Sequence, residues 1–299
     1  MRIVMAGASG LIGMELHQYL AAEGHDVHLL VRDRSPVGPA RHYWNPYTGE
    51  LDAAALQSVD AVINLAGDNI ASGRWTTRKK QAIRDSRVLT TRTLARAIER
   101  MRPAPSVWVN ASAIGFYGDR SESVDETSPA GEGFLPEVCQ AWEREATLPD
   151  HVKTRVVWMR TGIVLTRNGG ALQKMLPAFR FGVGGMIGTG AQPMSWVSLK
   201  DVCRMYAFAL THEALRGPVN AVSPEPVTNA EFSKALARAV HRPAMFRVPR
   251  LALTTWMGEM AEALLLQGAK VLPRKLLDAG YAFSDPELNA FLRKALSRI

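Results

Sequence analysis

Three glycines, Gly7, Gly10 and Gly13, punctuate the run G-A-S-G-L-I-G, and a run of this kind can hold an anion against bare backbone. Gly7 permits a tight turn, Gly10 lets phosphates approach the main chain, and Gly13 allows a following helix to lie close to a sheet. Ser9, Leu11 and Ile12 belong to the same stretch. Arg32 offers a second anion contact, and two hydroxyls offer proton chemistry: Ser112 and Tyr117, in the run N-A-S-A-I-G-F-Y-G-D from Asn110 to Asp119.

The elements around these residues decide what they can reach. Residues 2–6 read as a buried strand and Leu11 to Ala22 as a helix, so the glycines fall where a dinucleotide pyrophosphate meets a helix N-terminus. A second strand, Val27 to Val31, ends in V-R-D-R. NAD sites usually carry an acid at that strand end, whereas here Val31 stands in its place and Arg32 follows. A guanidinium there suits a ribose phosphate, so the pattern favours NADP. The alternatives are a solvated Arg32 and Arg34, or Asp33 turning back to the ribose. Ser35 to Gly49, with Pro36, Pro39 and Pro46, reads as loop around a short strand from His42 to Trp44.

Asp60 to Ala66 reads as a buried parallel strand, and Leu65, Ala66 and Gly67 are small or apolar enough for an adenosine to lie against the backbone. Thr76 to Met101 reads as a long crossover helix whose polar side carries Arg84, Arg87, Arg92 and Arg96, with Arg87 as the candidate to face the cofactor. The strand from Ser106 to Ala111 delivers Asn110 and Ser112. A hydroxyl beyond a central strand can bond a substrate carbonyl or alcohol, or equally its own turn. Residues 120–136 read as a mobile acidic loop, Pro136 to Thr147 as a helix, and Thr154 to Arg160 as another strand leading to Ile163. This alternation predicts an α/β fold, a Rossmann-type doubly wound parallel sheet with a smaller C-terminal α/β substrate lobe. The expected division is residues 1–166 for NADP binding and 167–299 mainly for substrate, with some segments returning to the core. In that second part Asp201 reads as a structural group in a first helical turn, and Leu251 to Leu266 as a helix with Trp256, Met257, Met260 and Leu264 on one apolar side, which suits the lobe core first and a subunit interface as the alternative.

Composition narrows the function classes. The 299 residues carry 36 Lys and Arg against 28 Asp and Glu, a formal charge of +8, but no basic stripe interleaved with aromatics, so no nucleic-acid partner is expected. Two cysteines, Cys139 and Cys203, suit a reducing compartment and supply no metal cluster. No apolar run reaches membrane-spanning length, and the glycine loop follows the first strand at once, which points to a cytoplasmic protein without signal or transit peptide.

The motifs G-A-S-G-L-I-G at Gly7, N-L-A-G-D-N-I-A at Asn64, R-W-T at Arg74, D-S-R at Asp85, V-C-Q-A-W-E at Val138, M-L-P-A-F-R at Met175, W-V-S-L-K-D at Trp196 and N-A-V-S-P-E-P-V-T-N at Asn220 cover the chain in order. Through them it resembles the extended short-chain dehydrogenase/reductases, and within these the atypical bacterial epimerase-family branch with a distinctive C-terminal region. The resemblance implies NADP held by Arg32, Leu65, Ala66, Arg87 and Ile163, an unidentified small-molecule substrate, and a homodimer through the long crossover helices. The wider family uses a tyrosine with a lysine four residues on, the lysine lowering the phenol pKa. Here Leu135 stands where the tyrosine belongs and Cys139 where the lysine belongs, and no Y-x-x-x-K occurs in the chain. Ser112 remains, with the loop to Tyr117 one residue longer than usual. If turnover occurs, Ser112 is expected to donate to the substrate oxygen and Tyr117 to replace the missing phenol, with Lys174 as its cation; the alternative for Tyr117 is an aromatic wall, and Cys139 reads as a small buried residue. An oxidoreductase or epimerase acting on a carbonyl, alcohol or nucleotide sugar thus competes with a catalytically silent NADP-binding sensor or interaction protein, which the resemblance links to cell division.

Overall fold

The structure is a computed structural model; it describes residues 1–35 and 38–297, so Pro36 of the expected proline loop lies outside it. Strand β1 (Arg2–Ala6) is apolar from Ile3 onward and wholly buried there, as a strand covered on both faces must be. Helix α1 (Leu11–Ala22) follows, then β2 (Asp26–Val31), β3 (Arg41–Asn45) and the short β4 (Glu50–Leu51). Strand β3 exceeds the expected His42 to Trp44 because it pairs in parallel with β2, Leu29 opposite Arg41 through Val31 opposite Tyr43. Between β4 and the next strand runs a single 3-10 turn, Ala53–Leu56.

Strand β5 (Ala61–Asn64) is followed by the 24-residue helix α2 (Thr77–Arg100), which starts where the Thr76 hydroxyl accepts the Lys79 amide at 3.2 Å. Strand β6 (Val107–Ala113), a 3-10 turn at Ile114–Tyr117, the short β7 (Ser123–Val124), helix α3 (Phe134–Glu145) and β8 (Arg155–Thr161) complete the nucleotide-binding pattern. The loop of residues 120–136, expected to be mobile, is tied down: β7 pairs in parallel with Lys270–Val271, and Glu126 is buried.

After Thr161 come β9 (Ile163–Thr166), α4 (Gly170–Arg180), β10 (Gly185–Ile187), β11 (Pro193–Met194), β12 (Trp196–Ser198), α5 (Leu199–Thr211) and β13 (Gly217–Ala221). Two of these return to the first half. Strand β13 pairs with β8, and α5 packs beside α1 on one face of the sheet. The main sheet therefore has eight strands in the order β13-β8-β6-β5-β1-β2-β3-β4, parallel except for β4. Leu16 and Leu20 of α1 and Val202 and Tyr206 of α5 are sealed against it; each such side chain contributes about 1.5–3 kcal/mol of burial.

The C-terminal lobe adds β14 (Val227–Thr228), α6 (Asn229–Ala239), β15 (Phe246–Val248), α7 (Arg250–Met257), the short α8 (Glu259–Ala261), β16 (Lys270–Val271), α9 (Arg274–Asp278) and α10 (Leu288–Leu296). The continuous helix expected from Leu251 to Leu266 is broken at Gly258, whose φ of +64° no ordinary side chain favours. The break separates residues expected on one face: Trp256 is 76% exposed, whereas Met260 is buried beside Trp75, Ile83 and Val138. Asp201 is a latch. Its carboxylate accepts the Tyr281 hydroxyl at 3.0 Å, the Ser284 amide at 2.9 Å and the Asp285 amide at 2.8 Å, fixing the C-terminal segment to α5. Among the described residues no helix is long and apolar enough to cross a membrane.

Candidate active site

The strand ends of β1, β2 and β5 open on a cleft of about 1050 Å³ lined by Gly7, Ser9 and Gly10 below, Val31 and Arg32 at one end, and Leu65, Ala66 and Gly67 along one wall. Each glycine of the first turn has its own reason. A Cβ on Gly7, where φ is +84°, would lie 2.5 Å from the Leu65 carbonyl carbon, and one on Gly13 would collide with the Gly7 carbonyl. A Cβ on Gly10 would meet nothing nearer than Gly7 O at 3.5 Å, so the protein itself does not require glycine there. The bare backbone at Gly10 faces the cleft instead, where a bound group can use the space. Helix α1 starts at this point with no side-chain cap and no acid in its first turn, which leaves the partial positive charge of its N-terminus for an anion.

Arg32 lines the cleft with an exposed side chain, whereas Asp33 accepts the Ser35 amide at 3.0 Å in a local turn and is not among the lining residues. Arg34 lies over the Tyr43 ring, 5.4 Å from its centroid. Leu11 and Ile12 point into the core beneath α1 and support the loop. Ala66 is held by a buried polar cluster that motif reading missed: its amide donates to Asn64 Oδ1 at 3.1 Å, while Asn64 Nδ2 donates to Asn110 Oδ1 at 2.8 Å and to Thr91 Oγ1 at 3.1 Å. The signal was an asparagine within each of two apolar strands, at the end of β5 and in the middle of β6, which the parallel register sets side by side. Arg87 packs against Gly67, 3.3 Å from where a Cβ would stand. Its Nη1 donates to Ile83 O and Asp68 O, and its guanidinium lies 5.1 Å from the Trp142 ring centre. Ile163 lies across the sheet end, in β9 paired with β12.

The two hydroxyls sit differently from expectation. Ser112, 3% exposed, donates to Glu143 Oε1 at 2.7 Å; Glu143 in turn accepts Arg160 Nε and Nη2, each at 2.8 Å, in a bidentate pair whose side chains are 6% and 4% exposed. Arg160 Nη1 donates to the Tyr117 hydroxyl at 3.0 Å, which donates to Asn220 Oδ1 at 2.7 Å. Tyr117 is fully buried, and burial pushes its phenol up to about 12 despite the cation beside it. That cation is Arg160. Lys174, the sequence candidate, instead reaches the Ala71 carbonyl at 3.5 Å. Burial, reinforced by Glu143, also pushes the Cys139 thiol up to about 12, with its Sγ 3.7 Å from Ala113 O. Leu135 lies against Gly115, 3.3 Å from where a Cβ there would stand. Glu143 and Arg160 escaped the sequence reading because each is one charge among many; the signal was an arginine ending the buried strand T-R-V-V-W-M-R.

Residues 3–221 match the NAD dependent epimerase/dehydratase family. The chain belongs to that family. Residues 248–295 of this epimerase-family chain match a second family, described as a domain of unknown function, DUF1731. Epimerase family protein ML0860 of Mycobacterium leprae is 43% identical over 298 residues, 99% of this chain and 96% of its own. The crystal structure of human epimerase family protein SDR39U1 (isoform2) with NADPH is similar over 100% of both chains, with a TM-score of 0.92 at 37% identity. A nucleoside-diphosphate sugar epimerase from Corynebacterium glutamicum has a TM-score of 0.82 at 31% identity, over 99% of this chain and 58% of that one.

Proposed function

We propose that this epimerase-family protein binds NADPH and serves as an oxidoreductase on a small-molecule substrate. The observation that carries the reading is the cleft itself: an uncapped helix N-terminus, bare backbone at Gly10, and Arg32 beside Val31 where an NAD site would carry an acid. The NADPH bound to the similar human protein supports it. In this reading the turn from Gly7 to Gly13, with Ser9, holds the pyrophosphate and Arg32 the 2′-phosphate. Leu65, Ala66 and Gly67 flank the adenosine side, and Arg87 and Ile163 the nicotinamide side. When bound, the cofactor supplies a hydride to an electron-poor carbon. The protein's part is to orient that carbon at the ends of β6 and β8 and to exclude water.

Titration with NADPH and NADH tests the reading, with NADPH expected to bind roughly 10- to 100-fold tighter. Equal affinity would remove Arg32 from its role, and no binding of either would end the proposal. The alternative, an NADPH-binding protein without turnover, draws on one observation: the Ser112 and Tyr117 hydroxyls are already engaged within the protein. Absence of turnover in the presence of tight NADPH binding would favour it.

A further inference from the structure

The C-terminal lobe carries an apolar surface that the rest of the chain leaves open. Phe181 and Val183, just after α4, are 82% and 54% exposed, and Met245 and Phe246, at the entry to β15, are 84% and 54% exposed. The two stretches lie side by side, because β10 pairs in parallel with β15, Gly185 opposite Phe246, and Arg242 Nε donates to the Arg180 carbonyl at 3.1 Å. Helix α7 continues directly from this strand through Pro249. None of its residues is buried, and its outer strip reads Leu251, Ala252, Thr255 and Trp256, where a helix ordinarily turns charged side chains to water. Leu251 and Trp256 are each 76% exposed.

The charges set among these side chains have one sign. Asp and Glu are absent from residues 151–200 and from residues 232–258, while Arg180, Arg242, Arg247 and Arg250 are exposed beside the apolar groups. The next acids along the chain, Glu259 and Glu262, are bonded to Lys80 at 2.8 Å and to Arg250 at 2.6 Å. Apolar groups so exposed and so close together mark a surface that meets something other than water. A second copy placed on the same face by a two-fold axis would bring arginines against arginines, so charge opposes it. The face matches a layer that is apolar within and anionic at its boundary. We propose that this face of the lobe adsorbs to an anionic lipid bilayer. Phe181, Phe246, Leu251 and Trp256 then enter the headgroup layer, a boundary that suits an indole, and the arginines reach lipid phosphates. Adsorption of this kind needs no membrane-spanning helix. It is also independent of the cofactor reading, because none of these residues lines the cleft.

The test uses the whole protein with vesicles of phosphatidylcholine alone and with about 30% phosphatidylglycerol added, read by co-sedimentation. The anionic vesicles are expected to bind the protein at least roughly tenfold more tightly than the neutral ones, and about 0.5 M salt should remove most of that difference. Of the seven tryptophans, Trp158 is half-buried, five others are buried and Trp256 is open, so acrylamide quenching reports chiefly on Trp256. Anionic vesicles should shield it and move its emission to the blue, whereas polyglutamate, which offers charge without an apolar layer, should not. Leu251→Ser with Trp256→Ser, and separately Arg180→Glu with Arg247→Glu, should each weaken sedimentation with anionic vesicles by roughly tenfold, and Leu251→Met should retain it. Because these side chains are exposed, the urea midpoint and NADPH affinity should stay at the parent's values, which separates a lost surface from a lost fold. Equal binding to the two kinds of vesicle, no binding to either, or binding indifferent to both double variants would overturn the proposal. Shielding of Trp256 by polyglutamate as complete as that by vesicles would assign the face to an acidic chain, and a doubling of mass with concentration that Leu251→Ser abolishes would assign it to a second copy; either overturns it as well.

Discussion

The Ser112 hydroxyl donates to Glu143 Oε1 across 2.7 Å, so its only proton points into the protein. A hydroxyl so engaged can accept a hydrogen bond from a ligand but has none left to give a carbonyl. This one contact changes the serine from the expected donor into part of the Glu143 and Arg160 pair. Removing either charge leaves the other buried. Glu143→Ala is therefore expected to cost about 3–5 kcal/mol in urea unfolding, and adding Arg160→Met should recover a large part of it. A double variant no more stable than Glu143→Ala would show that the pair is not what the arginine needs.

Arg32 lines the cleft with an exposed side chain, and under the proposed NADPH reading its contribution is to the phosphate alone. Arg32→Ala should weaken NADPH by about 1.5–3 kcal/mol, roughly 10- to 100-fold, while NADH affinity stays nearly constant. Fluorescence titration with both nucleotides checks this; equal losses for the two would place the arginine elsewhere on the ligand.

Glu126 gives stability an unusual slope with pH. It is buried, its Oε1 accepts the Asn220 amide at 3.0 Å, and its Oε2 has no partner. Burial raises its pKa above the ordinary carboxylate value. Between the unfolded and folded values the native state holds the extra proton, so this group's contribution falls as pH rises through that window. Glu126→Gln should be more stable than the parent at neutral pH, with the difference vanishing on acidification below about pH 4. Thermal unfolding across pH measures it, and a gap that widened in acid would contradict the assignment.

With its pKa near 12, the Cys139 thiol is ionised in roughly one molecule in ten thousand at pH 8, and it lies under Ala113 besides. Iodoacetamide should label it only as the protein unfolds, with a rate that follows denaturant. Rapid labelling of the native protein, located by mass spectrometry, would show an open thiol.

Asp201 accepts from Tyr281, Ser284 and Asp285, and charge-assisted bonds of this kind are worth about 1.5–3 kcal/mol each, though not additively. Asp201→Ala should cost at least about 3 kcal/mol and raise hydrogen exchange first in residues 281–297. Unchanged exchange there would mean that the apolar contacts of α10 hold the segment by themselves.

The sequence by itself determined what depends on near neighbours along the chain. The turn from Gly7 to Gly13 is set by three positions within one strand-to-helix junction, and two of them collide with backbone if they carry a Cβ. The apolar runs of β1, β5, β6 and β8 and the alternation with α1, α2 and α3 likewise fix a parallel sheet through local period and crossover handedness. Val31 followed by Arg32 is legible in the same way, because a strand end and the next residue cannot be far apart. Tertiary structure decided the rest. Ser112 meets Glu143, Tyr117 meets Arg160 and Asn220, and Asn64 meets Asn110 only because strands distant in sequence are set in register. Residue type gave Ser112 and Tyr117 the look of proton donors; where the proton points depends on the nearest buried acceptor, and the fold supplied Glu143 for one and Asn220 for the other. The return of β13 and α5 to the first half, and the exposure of Trp256 beyond Gly258, are of the same kind: they follow from which surfaces a folded sheet leaves uncovered, and no local spacing records that.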